Sequence, residues 1–260
     1  MRVALGISYR GGAYRGWQSQ PDGRTVQDAL EAALARFADQ PLRTHCAGRT
    51  DAGVHAINQV VHVDTSAVRE PFSWVRGTNR FLPDDIAVNW ALPVGDDFHA
   101  RFSALGRRYV YVLRESAMRP ALEAGLVGWT FRPLDEAAMR DAASRLLGEH
   151  DFSAFRSAEC QAASPIKTLR SIGISRRGAY WRFEFDANAF LHHMVRNIMG
   201  CLVAVGAGTR DAAWLEHVLA GRDRSLAAPT FAPDGLYFAG PYYDRAYALP
   251  DAPVELDWLP

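Results

Sequence analysis

The chain reads as an α+β fold with a largely antiparallel central sheet flanked by helices, and two features predict it. Short stretches of alternating apolar and polar residues recur in both halves, interleaved with stretches of helical period. Arg176-Arg177-Gly178 joins two of the alternating stretches in the manner of a hairpin turn. No glycine-rich fingerprint opens a strand–helix–strand unit, so neither a triphosphate-binding loop nor a dinucleotide site is indicated.

Val3, Leu5, Ile7 and Tyr9 alternate as an opening strand, and Gly11-Gly12-Ala13-Tyr14 turns the chain. Thr25 caps a helix through Phe37, with Asp28 at the capping-box position and Val26, Leu30, Ala33, Leu34 and Phe37 on one face. Strands are expected near Leu42 to His45, from Asn58 to Asp64 and at Ile86, Val88 and Trp90, with Pro71 opening a helix before the last. His62, between Val61 and Val63, falls on the polar face of its strand.

Ala104-Leu105-Gly106 closes a first half, residues 1–105. The second half, 106–245, opens with a strand from Arg107 to Arg114 and an arm of little periodicity from Glu115 to Arg132. A helix over Asp135 to Leu147 stops at Gly148. Strands Thr168 to Ser175 and Tyr180 to Asp186 follow, then helices over about Ala189–Val205 and Asp211–Ala220, and a strand from Leu236 to Phe238. The remainder, 246–260, is a proline-rich tail.

The 260 residues are 48% hydrophobic and 22% charged, the make-up of an ordinary globular protein. The longest apolar run, Ile198 to Ala207, is too short to span a membrane, and the opening lacks a signal-peptide core. Cys46, Cys160 and Cys201 form neither a disulfide framework nor a zinc pattern. A cytoplasmic protein is expected. Net charge is zero, so bulk electrostatics is silent about nucleic acid. Local patterning is more informative: Arg101, Arg107, Arg108 and Arg114 interleave with Phe98, His99, Phe102, Tyr109 and Tyr111, with no acid among them. Such a mixture suits an RNA surface, and half-buried strands look similar.

The stretch Cys46-Ala47-Gly48-Arg49-Thr50-Asp51-Ala52-Gly53-Val54-His55 holds one carboxylate between two glycines. That pattern suits a tight loop, in which Arg49 can keep Asp51 ionised as a nucleophile or base. It equally suits a surface turn with an Arg–Asp pair. His45, His55 and His62 do not form a zinc set, and no metal is expected. Tyr109 is either a platform for a flat base or a core aromatic. Phe190 to Gly200 reads as helical, which would point His192 and His193 about 100° apart. Arg196, at the edge of the stripe Leu191, Met194, Val195, Ile198 and Leu202, either reaches a buried carboxylate or snorkels.

Five segments together resemble the bacterial tRNA pseudouridine synthase A family. They are Gly48 to His55, Asp97-Phe98-His99-Ala100-Arg101-Phe102, Arg108-Tyr109-Val110-Tyr111, His150-Asp151-Phe152-Ser153-Ala154-Phe155 and His193-Met194-Val195-Arg196-Asn197. Gly235-Leu236-Tyr237 also fits, although Phe238-Ala239 stands where the family more often has a small apolar residue and valine. The resemblance implies two similar halves in a pseudouridine synthase fold, converting uridine to pseudouridine at tRNA positions 38, 39 and 40. It implies that Asp51 is the nucleophile, that Arg196 is its ion partner, and that Tyr109 stacks on the target base and assists removal of the C5 proton. Arg49, Arg69, Phe98, His99, Ala100, Arg101 and Phe102 would contact RNA, as would the loop Glu159, Cys160, Gln161, Ala162 and Ala163. It further implies tRNA as partner, a homodimer sharing one tRNA, and no metal or organic cofactor.

Overall fold

A computed structural model describes residues 1–250, so most of the expected tail lies outside the described residues. In chain order the first elements are β1 (Arg2–Tyr9), α1 (Val26–Ala38), β2 (His45–Cys46), β3 (His55–Asp64), α2 (Pro71–Asn79) and β4 (Ile86–Val94). Then come β5 (Gly106–Glu115), β6 (Gly128–Thr130), α3 (Glu136–Ser144), β7 (Gly148–Asp151), β8 (Ile166–Arg177) and β9 (Tyr180–Ala187). The last are α4 (Met194–Gly206), α5 (Ala212–Gly221) and β10 (Leu236–Tyr242). The content is α+β. The described residues divide into two compact units, Met1–Arg107 with 237–250, and Arg108–Leu236.

In the first unit β1 is flanked by antiparallel β3 and β4, while β10 runs parallel to β3 and β2 pairs with it. Val3, Leu5 and Ile7 are buried, and so are the intervening Ala4 and Gly6, so both faces of β1 are covered. Thr25 caps α1 as expected: its hydroxyl oxygen accepts from the Asp28 amide, and its O–H donates to the Asp28 carboxylate at 2.5 Å. Phe37 of α1 meets Trp74 of α2 edge to face at 5.1 Å. A Cβ on Gly77 would lie 2.0 Å from the Phe37 ring, so only glycine admits that contact.

In the second unit the strand order is β5-β9-β8-β7, with β6 alongside β5. β8 and β9 form the expected antiparallel hairpin, turned at Gly178 with φ +60°. α4 is buried around most of its circumference, including the predicted stripe Met194, Val195, Ile198 and Leu202. Gly206 lets the thioether of Met139 on α3 approach to 2.7 Å from where a Cβ would stand.

Several boundaries differ from expectation. β3 begins at His55, not Asn58, which joins the Asp51 loop directly to a strand. The arm Glu115 to Arg132 is not featureless: β6 pairs in parallel with β5, and the Trp129 indole donates to the Ser116 carbonyl at 2.8 Å. α3 stops at Ser144, before the predicted Leu147. α4 begins at Met194 because Asn188 accepts from the amides of Thr168 and Ala189, holding this segment to β8. His193 then takes the left-handed conformation, φ 64°, at the helix start. β10 extends to Tyr242 and joins β3, so residues from Tyr237 belong with the first unit.

Candidate active site

Asp51 sits half-buried on a turn closed by the Val54 amide donating to its carbonyl at 3.1 Å, and Gly53 carries φ +82°. The turn is fastened on several sides. The Trp17 amide donates to the Thr50 carbonyl at 3.0 Å, and the hydroxyls of Tyr9 and Thr50 lie 2.7 Å apart. The Gln59 amide group grips both polar atoms of Gly48, accepting from its N–H at 3.3 Å and donating to its carbonyl at 2.5 Å. His55 accepts from the Gly11 amide through Nδ1 at 3.0 Å and stacks on Tyr237 at 4.7 Å. The backbone of the 11–16 segment approaches so closely that a Cβ on Gly11 would lie 1.9 Å from the Val54 carbonyl oxygen. Phe238 packs 3.3 Å from where a Gly48 Cβ would be, which gives its bulk a place under the loop. Arg49 projects from an exposed position beside it.

The Phe98 to Phe102 segment, in the same unit, divides in two. Phe98 and Ala100 have no exposed surface, so they hold the turn in the core and offer no face to RNA. Arg101 and Phe102 are exposed, and His99 is half-buried. The Arg107 guanidinium donates to the carbonyls of Arg101 at 2.5 Å and Ala47 at 3.1 Å, which ties this turn to the start of the Asp51 loop. Arg69 is exposed and donates to its neighbour, the Val68 carbonyl. Among the described residues it makes no hydrogen bond or ion pair with the Asp51 loop.

His62 is not on a solvated face. It is 1% exposed, stacks on His45 at 4.9 Å, and meets His99 edge to face at 4.6 Å. Its Nδ1 accepts from the Ala100 amide at 3.1 Å. Burial, with His99 and Arg2 nearby, pushes its imidazole down to about 4, so it is neutral near pH 7.

In the second unit Tyr109 lies on β5, 9% exposed, with Phe190 edge to face at 5.1 Å. Tyr111, two residues on, is a core residue: its hydroxyl donates to the Ala232 carbonyl at 2.9 Å, and Gly128 and Gly235 make room for its ring. Arg196 is half-buried on α4, and its Nε donates to the Phe231 carbonyl at 2.9 Å. In return the Phe231 amide donates to the Arg196 carbonyl at 3.1 Å, so this side chain is held at its root and does not simply snorkel. His192 and His193 precede the helix, and their rings lie 4.0 Å apart, so the helical spacing expected for them does not apply.

In the loop from Glu159 to Ala163, Glu159, Gln161 and Ala163 are exposed while Cys160 and Ala162 are partly covered. Arg156 organises it from below, donating to the carbonyls of Cys160 at 2.6 Å and Ala162 at 3.0 Å. The Ser157 amide donates to the His192 carbonyl at 3.0 Å, which ties the loop to the approach to α4. Sequence reasoning missed Arg156, as well as Tyr9, Gln59 and Asn197. Asn197 is fully buried, donating to the Phe155 carbonyl at 2.8 Å and accepting from Thr230 at 2.7 Å. A polar residue inside an apolar pattern is the signal that could have found Asn197.

A sequence profile of the family described as tRNA pseudouridine synthase matches residues 7–103 and 142–244, more than half of the chain. The tRNA pseudouridine synthase A of Methylibium petroleiphilum is 72% identical over 260 residues, covering all of both chains. The proteins of that name from Polaromonas naphthalenivorans and Paracidovorax citrulli are 64% and 63% identical, again over the full length of both. The matched profile includes the Asp51 turn, the Phe98 to Phe102 segment, α4 and β10. This chain belongs to the tRNA pseudouridine synthase family.

Proposed function

We propose that this protein isomerises uridine to pseudouridine at positions 38, 39 and 40 in the anticodon stem-loop of tRNA, with Asp51 as nucleophile on a flipped-out nucleotide. Family membership supports the reaction class and the tRNA substrate. The observation that carries the assignment of Asp51 is its turn: a half-buried carboxylate whose flanking backbone is held by Trp17 and Gln59, and whose flanking side chains Thr50 and His55 are held by Tyr9 and the Gly11 amide. A nucleophile works best where its geometry is fixed before substrate arrives.

In this reading Asp51 attacks the target nucleoside, the N1–C1′ bond breaks, the freed base rejoins the sugar through C5, and the bond to Asp51 breaks to return the free carboxylate. The C5 proton leaves and N1 takes a proton, so atoms and electrons balance without a cofactor. The base must leave its stack to react at the glycosidic carbon, and Tyr109 supplies a ring for it. Arg196 serves as the cation that keeps Asp51 ionised. Arg49, Arg69, His99, Arg101, Phe102 and the exposed residues of the 159–163 loop contact the RNA, with arginine on phosphate setting its position. The active species is a homodimer sharing one tRNA, in the cytoplasm where that substrate is found. Among the described residues no helix is long and apolar enough to cross a membrane.

Tritium release from tRNA labelled at uridine C5 tests the reading. Wild-type protein releases tritium without free uracil, whereas a nucleoside hydrolase would liberate the base. Asp51→Asn abolishes release while retaining most tRNA affinity; unchanged turnover in that variant overturns the assignment. A protein that binds tRNA without releasing tritium would be an RNA-binding module instead.

A further inference from the structure

The strands beneath the Asp51 loop bury polar groups among their aliphatic side chains, including His55, Asn58, Gln59 and His62 of β3, and two buried side chains reach the loop from below. Tyr9 at the end of β1 is 4% exposed, and Gln59 in β3 is 0% exposed. Buried polar groups in such a setting are retained where they find partners. Here the partners are backbone and side-chain atoms of the loop itself. Tyr9 reaches the hydroxyl of Thr50, the residue before Asp51, and Gln59 holds both backbone polar atoms of Gly48. The β1–β3 ladder is regular from Arg2↔Asp64 to Ile7↔Gln59 and then slips, so that Tyr9 pairs with Ala56. A one-residue bulge of this kind re-aims the side chain beyond it. Here that side chain is Tyr9, whose hydroxyl meets Thr50. Burial raises the phenol well above its ordinary range, so Tyr9 stays a neutral hydrogen-bonding group.

We propose that Tyr9 and Gln59 are positioning residues for catalysis: a buried two-point lock that sets the Asp51 carboxylate by fixing Gly48 and Thr50. The inference rests on Asp51 being the nucleophile. A lock that merely stabilised the unit would resemble the clamp at the end of α2, where Asn79 donates to the Val88 carbonyl at 2.9 Å and accepts from the Val88 amide at 2.7 Å. That clamp has the same chemistry in the same unit and grips β4 instead of the loop.

The experiment measures kcat and KM by tritium release, together with Tm, for Tyr9→Phe, Gln59→Met, Thr50→Val, Thr50→Ser and Asn79→Ala. Displacing a reacting group by about 1 Å costs on the order of 100-fold, so partial release of the lock lowers kcat roughly 10- to 100-fold. KM for tRNA stays within about 2-fold, because uniform binding is untouched. Thr50→Ser retains the hydroxyl and near-wild-type kcat, whereas Thr50→Val falls with Tyr9→Phe. The double variant Tyr9→Phe/Thr50→Val loses no more than either alone. Asn79→Ala lowers Tm and leaves kcat unchanged.

Wild-type kcat in both Tyr9→Phe and Gln59→Met, measured well below their Tm, overturns the inference. So does an equal kcat loss in Asn79→Ala. Should Gln59→Met fail to fold, Tyr9→Phe and the Thr50 pair decide the matter alone. An inactive Asp51→Asn beside a fully active Tyr9→Phe sinks this inference and spares the nucleophile, while an active Asp51→Asn removes the nucleophile itself.

Discussion

Two loops carry the proposed chemistry, and they are built on opposite principles. The Asp51 turn is gripped through backbone and side chain by Tyr9, Gly11, Trp17 and Gln59, with Tyr237 stacked beside it. The Glu159 to Ala163 loop, in the other unit, is held at two carbonyls by the Arg156 side chain and at Cys160 by Ser157 and the His192 amide. Its Glu159, Gln161 and Ala163 lie at exposed positions. A reacting carboxylate gains from being immobile, because misplacement is felt in the barrier. A surface that meets RNA gains from a fixed base and adjustable side chains.

Gly11→Ala is the sharpest way to break the first loop. Its Cβ would stand 1.9 Å from the Val54 carbonyl oxygen, a backbone atom that cannot swing aside. Turnover falls roughly 100-fold or more, as single-turnover assays at saturating tRNA will show. A loss below about 3-fold would mean the turn tolerates displacement, and the contrast between the loops would fail.

Acid tests the strand that supports the same loop. His62 is buried neutral, with its folded value near 4 against 6.5 unfolded. A depressed value means the unfolded chain takes up the proton first, so stability is full above about pH 6.5 and declines as pH falls toward 4. The contribution is on the order of 3 kcal/mol. Urea unfolding of His62→Gln across pH 4 to 7 should show a flatter dependence than wild type; parallel curves would remove His62 from the balance.

Arg156→Ala, by contrast, releases only the second loop. Apparent tRNA affinity weakens by about 5-fold, the scale of about 1 kcal/mol from loosened hydrogen bonds, with kcat within about 2-fold. A kcat collapse in filter-binding and turnover assays would show that the two loops are not separable in this way. The smallest effect is expected from Arg101→Ala, which lowers the slope of log K against log salt by about 1. An unchanged slope would take Arg101 out of the RNA contact.

Much of this was legible beforehand. The cap at Thr25, the hairpin at Gly178 and the placement of Asp51 on a tight turn follow from local chemistry that the sequence displays directly. What stayed hidden depends on partners far away in the chain. His62, between Val61 and Val63, looks like a residue of a wet face and is buried because the Phe98 turn covers it, while Gln59, on the opposite face, is buried against the loop. The start of α4 was misread for a similar reason. Ala189 to His193 have helical character, and the tie from Asn188 to β8 overrides it. Phe98 and Ala100, RNA contacts by the family resemblance, have no exposed side-chain surface and pack in the core.

The pairing of β10 with β3 carries a consequence for how the protein is made. Residues from Tyr237 onward complete the unit begun at Met1, and Tyr237 is the ring on which His55 rests. During synthesis the Asp51 turn therefore emerges early and the Tyr237 ring beside it late. A nascent polypeptide near translating ribosomes is surrounded by tRNA, yet the Asp51 turn lacks this ring until residue 237 has been made. Truncations that stop before Tyr237 are expected to remove the ring on which His55 rests and to loosen the Asp51 turn.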